Sequence, residues 1–504
     1  MATTIVPATK LDALIAGAGP VGLAMASELA RYGLNVRIVD KAPVRTDKSK
    51  ALVIWSRTLE LMDSAGASAA LLAAGRTCNA ANLMSGAKIL AHIVFDGVSS
   101  PHPYGLMIPQ SETERVLDEH LQSFGVHVER SAELVSFHQT DTAVTCTVHK
   151  PDVGEETLEA SWLIACDGAH STVRHALNIP FEGETLASDW MLADVQLHGM
   201  PNPGEMHIFL HESGPLAIFP IGQPSSQATE SQRSRVIASV GAHRSGQARP
   251  EPTLADVQNI LDQRGTGGVT ASDPIWLANF GINERKISNY RSGRVFFAGD
   301  AAHIHSPAGG QGMNTGIQDA CNLAWKLALV RMRNCPDSLL DSYSAERSPV
   351  ARQVLKSTGA LTSLATMHNP ALLAFRNTTV SLVLGFPPAR HAMADQLTEL
   401  SVSYPESPLN GYADAAQPKP GTRVPIQGGE APLNAGSSPR FALFAEPNDT
   451  EHHELLRAFP DLLEPTLRNP FHADGIWLVR PDGYVSVAST KWPDIRNYLA
   501  RLVS

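Results

Sequence analysis

The 504-residue sequence has few cysteines, no excess of positive charge and no long hydrophobic run. Its five cysteines are widely spaced and form no C-x-x-C pair. A disulfide framework or a structural zinc site is therefore not expected, and a reducing, cytoplasmic location is. The formal net charge of −10 argues against nucleic acid and anionic membranes as partners. Because no uninterrupted apolar run approaches about 18 residues, no transmembrane span is predicted, and Asp12 interrupts any signal-peptide pattern.

What the sequence does have is a central stretch, Arg294 to Leu329, with the pattern of strand, glycine-rich loop and helix. RVFFAG is typical of a short buried strand, and apolar residues recur at helical spacing from about Met313. Small residues let a ligand approach the backbone, and the N-terminus of the following helix presents N–H groups and a positive dipole. The stretch therefore predicts a site for an anion or an electron-rich carbonyl.

A second nucleotide-binding pattern lies near the N-terminus. An apolar run, Leu11 to Ala16, is followed by a G-x-G-x-x-G turn at Gly17, Gly19 and Gly22, a helix to about Tyr32 and a second strand that ends at Asp40. The glycines allow a tight turn, close approach of a pyrophosphate and close packing of helix on strand. Asp40 lies where an acid hydrogen-bonds the ribose hydroxyls of an adenosine. The order predicts an α/β, Rossmann-like dinucleotide-binding domain.

The central stretch resembles the second FAD motif of class A flavin aromatic hydroxylases, the family of para-hydroxybenzoate hydroxylase and phenol hydroxylase. The matching residues are Gly299-Asp300, Ala302-His303, Pro307, Gly309 to Asn314, Asp319, Asn322 and Trp325-Lys326. The resemblance implies that Asp300 binds the ribityl chain and that Pro307 lies beside the flavin ring. It also implies that Gly310, Gly312, Met313 and Asn314 surround the pyrimidine edge of that ring. In this family the N-terminal glycine turn and Asp40 hold FAD.

Further matches to the family add cofactor-binding candidates. Lys50 and Arg57 match basic positions of the segment after Asp40, although a solvated basic loop is the alternative interpretation. Gln110, at the start of a predicted helix, matches a glutamine that binds FAD near the ring. Asp167, Gly168 and Arg174 match the D-G motif that serves FAD and the pyridine nucleotide, with Asp167 as a helix cap and Arg174 as a surface cation being the alternatives.

The middle of the chain, from Phe181 to about Arg285, has alternating strand patterns that predict an antiparallel substrate-binding sheet. Phe219 and Pro220 occupy the place of the family's aromatic-proline pair near the substrate. Because a phenol reacts faster as phenolate, a base is useful, and His207, His211 and Tyr104 are the candidates. Each could instead be a packing or surface residue. No metal site is predicted.

The domain boundaries expected from these patterns are as follows. An FAD-binding domain takes residues 1–80, 107–182 and 285–345, and a middle domain takes residues 81–106, 183–284 and 346–400. Residues 405–504 resemble the thioredoxin-like tail of phenol hydroxylases and polyketide hydroxylases. No cysteine follows Cys335, so this tail cannot perform dithiol chemistry.

The resemblance implies an FAD-dependent monooxygenase driven by NADPH or NADH. It would use O2 to hydroxylate an aromatic or polycyclic phenolic small molecule through a C4a-hydroperoxyflavin. Baeyer-Villiger or epoxidation chemistry and a non-catalytic FAD-binding protein are the alternatives. A flavin-dependent halogenase needs a W-x-W-x-x-I-P helix, and no two of the seven tryptophans are two residues apart. A homodimer is left open.

Overall fold

The computed structural model describes residues 10–47, 51–222, 231–242, 249–333, 335–367, 369–426, 431–446 and 450–504. The strands before residue 231 are β1 (Leu11–Ala16), β2 (Val36–Asp40), β3 (Val53–Ile54), β4 (Arg76–Cys78), β5 (Ala80–Ser85), β6 (Lys88–Val94), β7 (Gly105–Met107), β8 (Val128–Arg130), β9 (Glu133–Gln139), β10 (Val144–Lys150), β11 (Gly154–Ala165), β12 (Glu182–His198), β13 (Met206–Phe209) and β14 (Leu216–Pro220). The later strands are β15 (Ser231–Ala242), β16 (Thr270–Lys286), β17 (Arg291–Ser292), β18 (Val295–Phe297), β19 (His303–Ile304), β20 (Ala442–Phe444), β21 (Ile476–Val479) and β22 (Val485–Ser489).

The helices in the same described ranges connect these strands, and three of them follow one another between residues 341 and 397. They are α1 (Pro20–Arg31), α2 (Ser56–Ala65), α3 (Ser68–Ala74), α4 (Gln110–Gln122), α5 (Thr172–Ala176), α6 (Leu254–Arg264), α7 (Gly312–Arg333), α8 (Asp341–Ala365), α9 (Pro370–Val383), α10 (Pro387–Leu397), α11 (Thr450–Ala458) and α12 (Trp492–Val503). None of the described helices is long and apolar enough to cross a membrane.

The N-terminal half is organised around a parallel sheet. Its path runs β17-β18-β11-β1-β2-β8, and β1 pairs in parallel with both β11 and β2. Every residue of β1 is buried, as is usual for a central strand covered on both faces. The strand, glycine turn, helix and second strand predicted from residues 11–40 are confirmed, and with the rest of the sheet they give a Rossmann-like α/β fold.

A second large sheet is mainly antiparallel and lies across the cavity from the first. Its order is β19-β16-β12-β15-β14-β13-β5-β6. The alternating pattern in the middle of the chain predicts strands at residues 190–197, 206–210, 215–220 and 235–240, and the structure has all four, although β12 and β15 are longer than predicted. The long strand β16 and helix α6 were not predicted, because the half-buried β16 mixes polar and apolar residues without clean alternation.

Two helix predictions need correction. The amphipathic pattern of the sequence predicts one helix from Thr58 to Leu72, but the structure has two, because Gly66 takes a left-handed conformation (φ 84°) and ends α2. The helical region after Ser338 is predicted to break at Pro349, Pro370 and Pro387-Pro388, but Pro349 lies inside α8. Proline removes one backbone hydrogen bond there, and the buried neighbours Arg347, Val350 and Ala351 hold the helix through packing.

The C-terminal segment forms a small sheet, β20-β21-β22, whose strands pair antiparallel. The predicted turn at Pro481-Asp482-Gly483 joins β21 to β22. Gly483 has the positive φ (78°) that such a turn favours. Asp482 in this turn bonds Arg57 of α2 and Asn322 of α7, and the nearby Arg480 bonds Glu346 of α8. The C-terminal segment therefore packs against the helix that follows the glycine-rich loop.

Candidate functional site

The loop between β1 and α1 is shaped by glycines. Gly17 has a φ of 98°, and a Cβ on Gly22 would lie 1.9 Å from the carbonyl oxygen of Gly17. A Cβ on Gly19 would meet no protein atom within 4 Å. Gly19 is the N-cap of α1, and no side chain caps this helix. The loop is therefore closed toward the protein and open at Gly19, as a pyrophosphate-binding turn requires.

Asp40 ends β2 beside this loop. Its Oδ2 accepts a hydrogen bond from the N–H of Ala18 at 2.7 Å, and its Oδ1 accepts one from the N–H of Ala42 at 2.8 Å. These two bonds fix the carboxylate next to the glycine turn. The position suits an acid that binds ribose hydroxyls, and that role stays a prediction.

A cavity of about 560 Å³ opens beside the loop and lies between the two large sheets. The predicted site residues that line it are Gly19, Gln110, Gly168, Phe219, Asp300, Pro307, Gly310, Gly312 and Met313. The antiparallel sheet contributes an apolar wall that includes Leu192, Phe219, Ile237 and Phe280. One space therefore joins the three sequence motifs to the predicted substrate sheet.

The N-terminus of α7 closes one side of this cavity. Gly310 has a φ of 64°, and a Cβ there would lie 2.3 Å from Val53. Asn314 is fully buried, and its amide is used by the protein itself. It accepts from the N–H of Trp55 and donates to the carbonyl oxygens of Val53 and Gly310, each at 2.9 Å. Asn314 thus ties β3 to the glycine loop and shapes the cavity wall.

In the D-G motif Gly168 lines the cavity, whereas the side chains of Asp167 and Arg174 bond to the protein itself. Asp167 accepts from the N–H of Val173 at 3.3 Å, while burial raises the pKa of its carboxyl and leaves its Oδ1 without a hydrogen-bond partner among the described residues. Arg174 is buried, donates to the carbonyl oxygens of Ala301 and Ala169, and lies 4.0 Å over the ring of Phe181. It therefore joins the loop after Gly168 to the Gly299-Asp300 turn. It is not among the residues that line the cavity.

The structure places Arg57 away from the cavity. It is buried, donates to Glu60 at 3.0 Å and to the carbonyl oxygen of Asp482 at 2.5 Å, and lies over the ring of Tyr484. Its partners thus come from its own helix and from the C-terminal turn. Lys50 lies outside the described residues.

The three candidate bases also lie apart from the cavity lining. His207 is buried on β13, where its Nε2 contacts the carbonyl oxygen of Asn202 at 3.1 Å. His211 accepts from the N–H of Ser213 through Nδ1. Tyr104 contacts His102, whose other ring nitrogen lies 2.6 Å from Asp63. Pro220 is buried at the end of β14, next to the cavity-lining Phe219.

Two residues that carry the site received no role from the sequence. Asp319 is fully buried on α7 and accepts from the N–H of Gly299 at 3.1 Å, from His303 Nε2 at 2.7 Å and from Arg347 Nε at 2.6 Å. It therefore fixes the Gly299-Asp300 turn against α7. His305 lines the cavity two residues before Pro307. The H-x-H-x-P pattern was visible in the sequence, but no periodicity indicated which histidine faces the cavity.

These residues fit a flavin dinucleotide. The space at Gly19 and the uncapped start of α1 suit a pyrophosphate, Asp40 suits a ribose, and Pro307, Gly310 and Met313 offer a flat, small-residue wall for a ring. Among the described residues no group of three or more His, Cys, Asp or Glu is arranged to hold a metal ion.

Comparison with known proteins agrees with this geometry. Residues 10–358 match the family described as FAD binding domain. The uncharacterized aromatic compound monooxygenase YhjG of Bacillus subtilis (strain 168) is 33% identical, over 98% of each chain. The 6-methylpretetramide 4-monooxygenase of Streptomyces rimosus is 33% identical, over 94% of this chain and 90% of its own.

A solved structure gives the same result in three dimensions. OxyS anhydrotetracycline hydroxylase from Streptomyces rimosus has a TM-score of 0.78 and 30% identity to this chain, and it covers 98% of this chain and 100% of its own. The resemblance inferred from the three motifs is confirmed. The chain therefore belongs to the FAD binding domain family and is one of its flavin-dependent aromatic monooxygenases.

Proposed function

We propose that this protein uses NADPH or NADH and O2 to hydroxylate an aromatic, polycyclic phenolic small molecule at a bound FAD. The observation that carries the proposal is the single cavity that is glycine-rich on one side and apolar on the other. Similar proteins include the 6-methylpretetramide and anhydrotetracycline enzymes, and their names support a polycyclic substrate. Leu192, Phe219, Ile237 and Phe280 would contact its rings.

The cofactor, when bound, supplies the oxygen activation, and the chain supplies position and environment. The start of α7 directs backbone N–H groups and the positive end of its dipole at the cavity, where they stabilise negative charge on a bound ring. The apolar wall excludes water, which strengthens these interactions. Pro307 and Met313, which line the cavity, would contact the ring of the cofactor.

The domain division is part of the same proposal. Residues 1–80, 107–182 and 285–345 would bind FAD, and residues 81–106, 183–284 and 346–400 would bind substrate. Residues 405–504 would form a thioredoxin-like domain without dithiol chemistry, since no cysteine follows Cys335. Its contacts with Arg57 and α7 support a structural role. A cytoplasmic location and a homodimer remain proposals of the same kind.

The test is a screen of polycyclic phenols with the purified, flavin-loaded protein. NADPH and NADH oxidation and O2 uptake are followed together, and products are identified by mass. We expect a yellow protein whose reductant consumption rises with one class of phenol and whose product gains one oxygen atom. An anaerobic reaction is the control and should give no product.

Other outcomes would overturn parts of the proposal. Ring expansion of a ketone to an ester would indicate Baeyer-Villiger chemistry, and oxygen added across a double bond would indicate epoxidation. A flavin that stays oxidised with every phenol and either nucleotide would indicate a binding protein. A colourless protein that takes up no flavin would refute the whole assignment.

A further inference from the structure

His305 is the imidazole that the described cavity lining contains. It follows β19 and lies beside the start of α7, because its Cε1 and Nε2 are each 3.6 Å from the position of a Cβ added to Gly312. It lines the cavity together with Pro307, Gly312 and Met313. His305 therefore lies on the wall of the cavity that the proposed substrate and cofactor would share.

The hydrogen bonding of His305 sets its tautomer. Its Nδ1 lies 2.9 Å from the carbonyl oxygen of Ser306. A carbonyl oxygen only accepts, so Nδ1 carries the proton. Burial, together with the neighbouring His303, lowers the pKa of His305 to about 4, so the ring is neutral near pH 7. Nε2 therefore presents a lone pair.

That lone pair has no protein partner. Nε2 is withdrawn from solvent and makes no hydrogen bond within the described part of the chain. Leaving a buried acceptor unsatisfied costs about 1–3 kcal/mol, so a structure that retains one at a cavity wall is suited to a ligand that donates there.

The charged and titratable groups around His305 bond to other parts of the protein, although His303 Nδ1 and Glu284 Oε1 have no hydrogen-bond partner among the described residues. His303, stacked on His305 at 6.4 Å, bonds Asp319 through Nε2, and Asp319 is paired with Arg347. Glu284 on β16 accepts from the backbone of Ser306. On α8, Thr362 bonds the Ser306 hydroxyl at 2.8 Å. These contacts hold the His305 segment, and none of them uses Nε2.

We propose that His305 accepts, through Nε2, the hydrogen bond of the substrate's phenolic hydroxyl and so orients the aromatic ring in the cavity. The proposal rests on the proposed function, because it requires a phenolic substrate. It replaces His207, His211 and Tyr104, which lie outside the cavity lining, with a residue on the wall itself. The neutral acceptor selects a donor hydroxyl over an ether of the same shape.

The experiment compares wild type, His305→Leu and His305→Gln. Leucine removes the acceptor, whereas the glutamine side-chain oxygen can restore one near the position of Nε2. His138→Leu, at an exposed position of β9, is the control for loss of an imidazole. Each protein is measured for FAD content, for the Kd of an active phenol and its methyl ether by the change in flavin absorbance, and for kcat and KM.

We expect His305→Leu to keep its FAD and to bind the phenol about tenfold or more weakly, which is the effect of one lost hydrogen bond. Its Kd for the methyl ether should equal that of wild type, so the preference for phenol over ether disappears. His305→Gln should recover part of that preference, and His138→Leu should keep all of it. The phenol Kd of wild type should be constant between about pH 6 and about pH 8, because the ring is already neutral.

Three results would overturn the inference. One is an unchanged preference for phenol over ether in His305→Leu. Another is a phenol affinity that rises as the pH falls from 8 to 6, which would indicate an imidazolium donor. The third is equal loss of phenol and ether binding in both variants, which would indicate a structural role. If no phenol stimulates wild type in the first place, the proposed function fails, and that failure is seen before any variant is made.

Discussion

The N-terminus of helix α7 and the part of it near Lys326 use polar groups in opposite ways. At the N-terminus of α7, here called the cavity end, the described cavity lining includes glycines, Pro307 and Met313. It also includes His305, whose Nε2 has no hydrogen-bond partner among the described residues. Farther along, α7 meets α8 and the C-terminal turn in a rear junction, defined here as Lys326, Glu346, Arg480 and Asp482. In the rear junction Glu346 accepts from Lys326 at 2.7 Å and from Arg480 at 2.6 and 2.9 Å.

The difference shows which region is complete without a ligand. The charges of the rear junction are fully buried and paired with one another, and a buried pair resists loss of either partner strongly. The cavity end has space and unpaired polar groups, so its interactions are completed by what binds there. The rear junction therefore fixes α7 in place, and the cavity end uses that fixed helix.

The largest effect should come from breaking the rear junction with Glu346→Gln. Burial raises the pKa of Glu346, but Arg480 and Lys326 outweigh it and hold that pKa well below its usual range. The substitution leaves buried cations short of a partner and should lower the free energy of unfolding by about 3–5 kcal/mol. Chemical denaturation at pH 7 measures this, and Glu119→Gln, at an exposed ion pair on α4, should change it by less than about 1 kcal/mol.

The sign of the pH dependence follows from that lowered pKa. In the unfolded chain the Glu346 carboxyl titrates at about pH 4.3. The contribution of Glu346 to the free energy of unfolding is therefore present above that pH and is lost as the pH falls through the folded pKa. Wild type should lose its advantage over Glu346→Gln only in strong acid. Equal stability of the two proteins at pH 7 would contradict the role given to the rear junction.

An intermediate effect should separate fold from binding in the glycine turn. In Gly22→Ala the added Cβ would lie 1.9 Å from the oxygen of Gly17, so the turn must shift, at about 1–3 kcal/mol of stability. In Gly19→Ala the methyl group points into open space. We therefore expect Gly19→Ala to keep the melting temperature of the flavin-free protein while its FAD affinity falls at least about tenfold.

Thermal melts of the flavin-free proteins and fluorescence titration with FAD test this pair. If Gly19→Ala binds FAD as tightly as wild type, the open side of the turn is not the pyrophosphate site. If Gly22→Ala is as stable as wild type, the close packing of α1 on β1 does not constrain the turn.

At about pH 5, where its carboxyl is still protonated, the smallest effect should come from replacing Glu399, which lies beside α7 between the two regions, with glutamine. It accepts from Gln318 at 2.6 Å and from Thr315 at 3.1 Å, and burial raises its pKa to about 8. Because the folded pKa exceeds the unfolded value of about 4.3, stability should fall as the pH rises between these two values. Glu399→Gln should flatten that slope, and exposed Glu155→Gln should preserve it; a wild-type slope in Glu399→Gln would refute the assignment. Denaturation midpoints from pH 5 to 8 measure it.

Local sequence patterns predicted much of this molecule. The strand, turn, helix and strand of residues 11–40 and the strand-loop-helix around Pro307 were found because glycine spacing and apolar periodicity are local. The cavity lining confirms that these segments meet. The roles of the individual cofactor-binding residues stay predictions, and Arg57 and Arg174 illustrate why. Both were selected as cations that contact the cofactor, but each is buried against carbonyl oxygens of distant segments.

For the same reason, the imidazole on the cavity wall was not selected. His207, His211 and Tyr104 were chosen from positions near predicted substrate strands, where side-chain direction depends on pairing and twist. His305 stood two residues before Pro307, but whether it faced the cavity depended on the packing of β16 and α8 against its segment. Long strand β16 itself went unseen, because it mixes polar and apolar residues without alternation and is defined by its pairing with β12.

By itself the sequence determined the dinucleotide turn, the glycine loop before α7 and the family to which the chain belongs, since each is written in residues close together along the chain. Only the tertiary structure decided which charged side chains pair within the protein and which polar atoms remain for a ligand. Arg57 and the carbonyl of Asp482 are 425 residues apart, and Glu346 and Arg480 are 134 apart. A side chain's partner is set by which surfaces pack together, and local propensity carries no information about segments so distant.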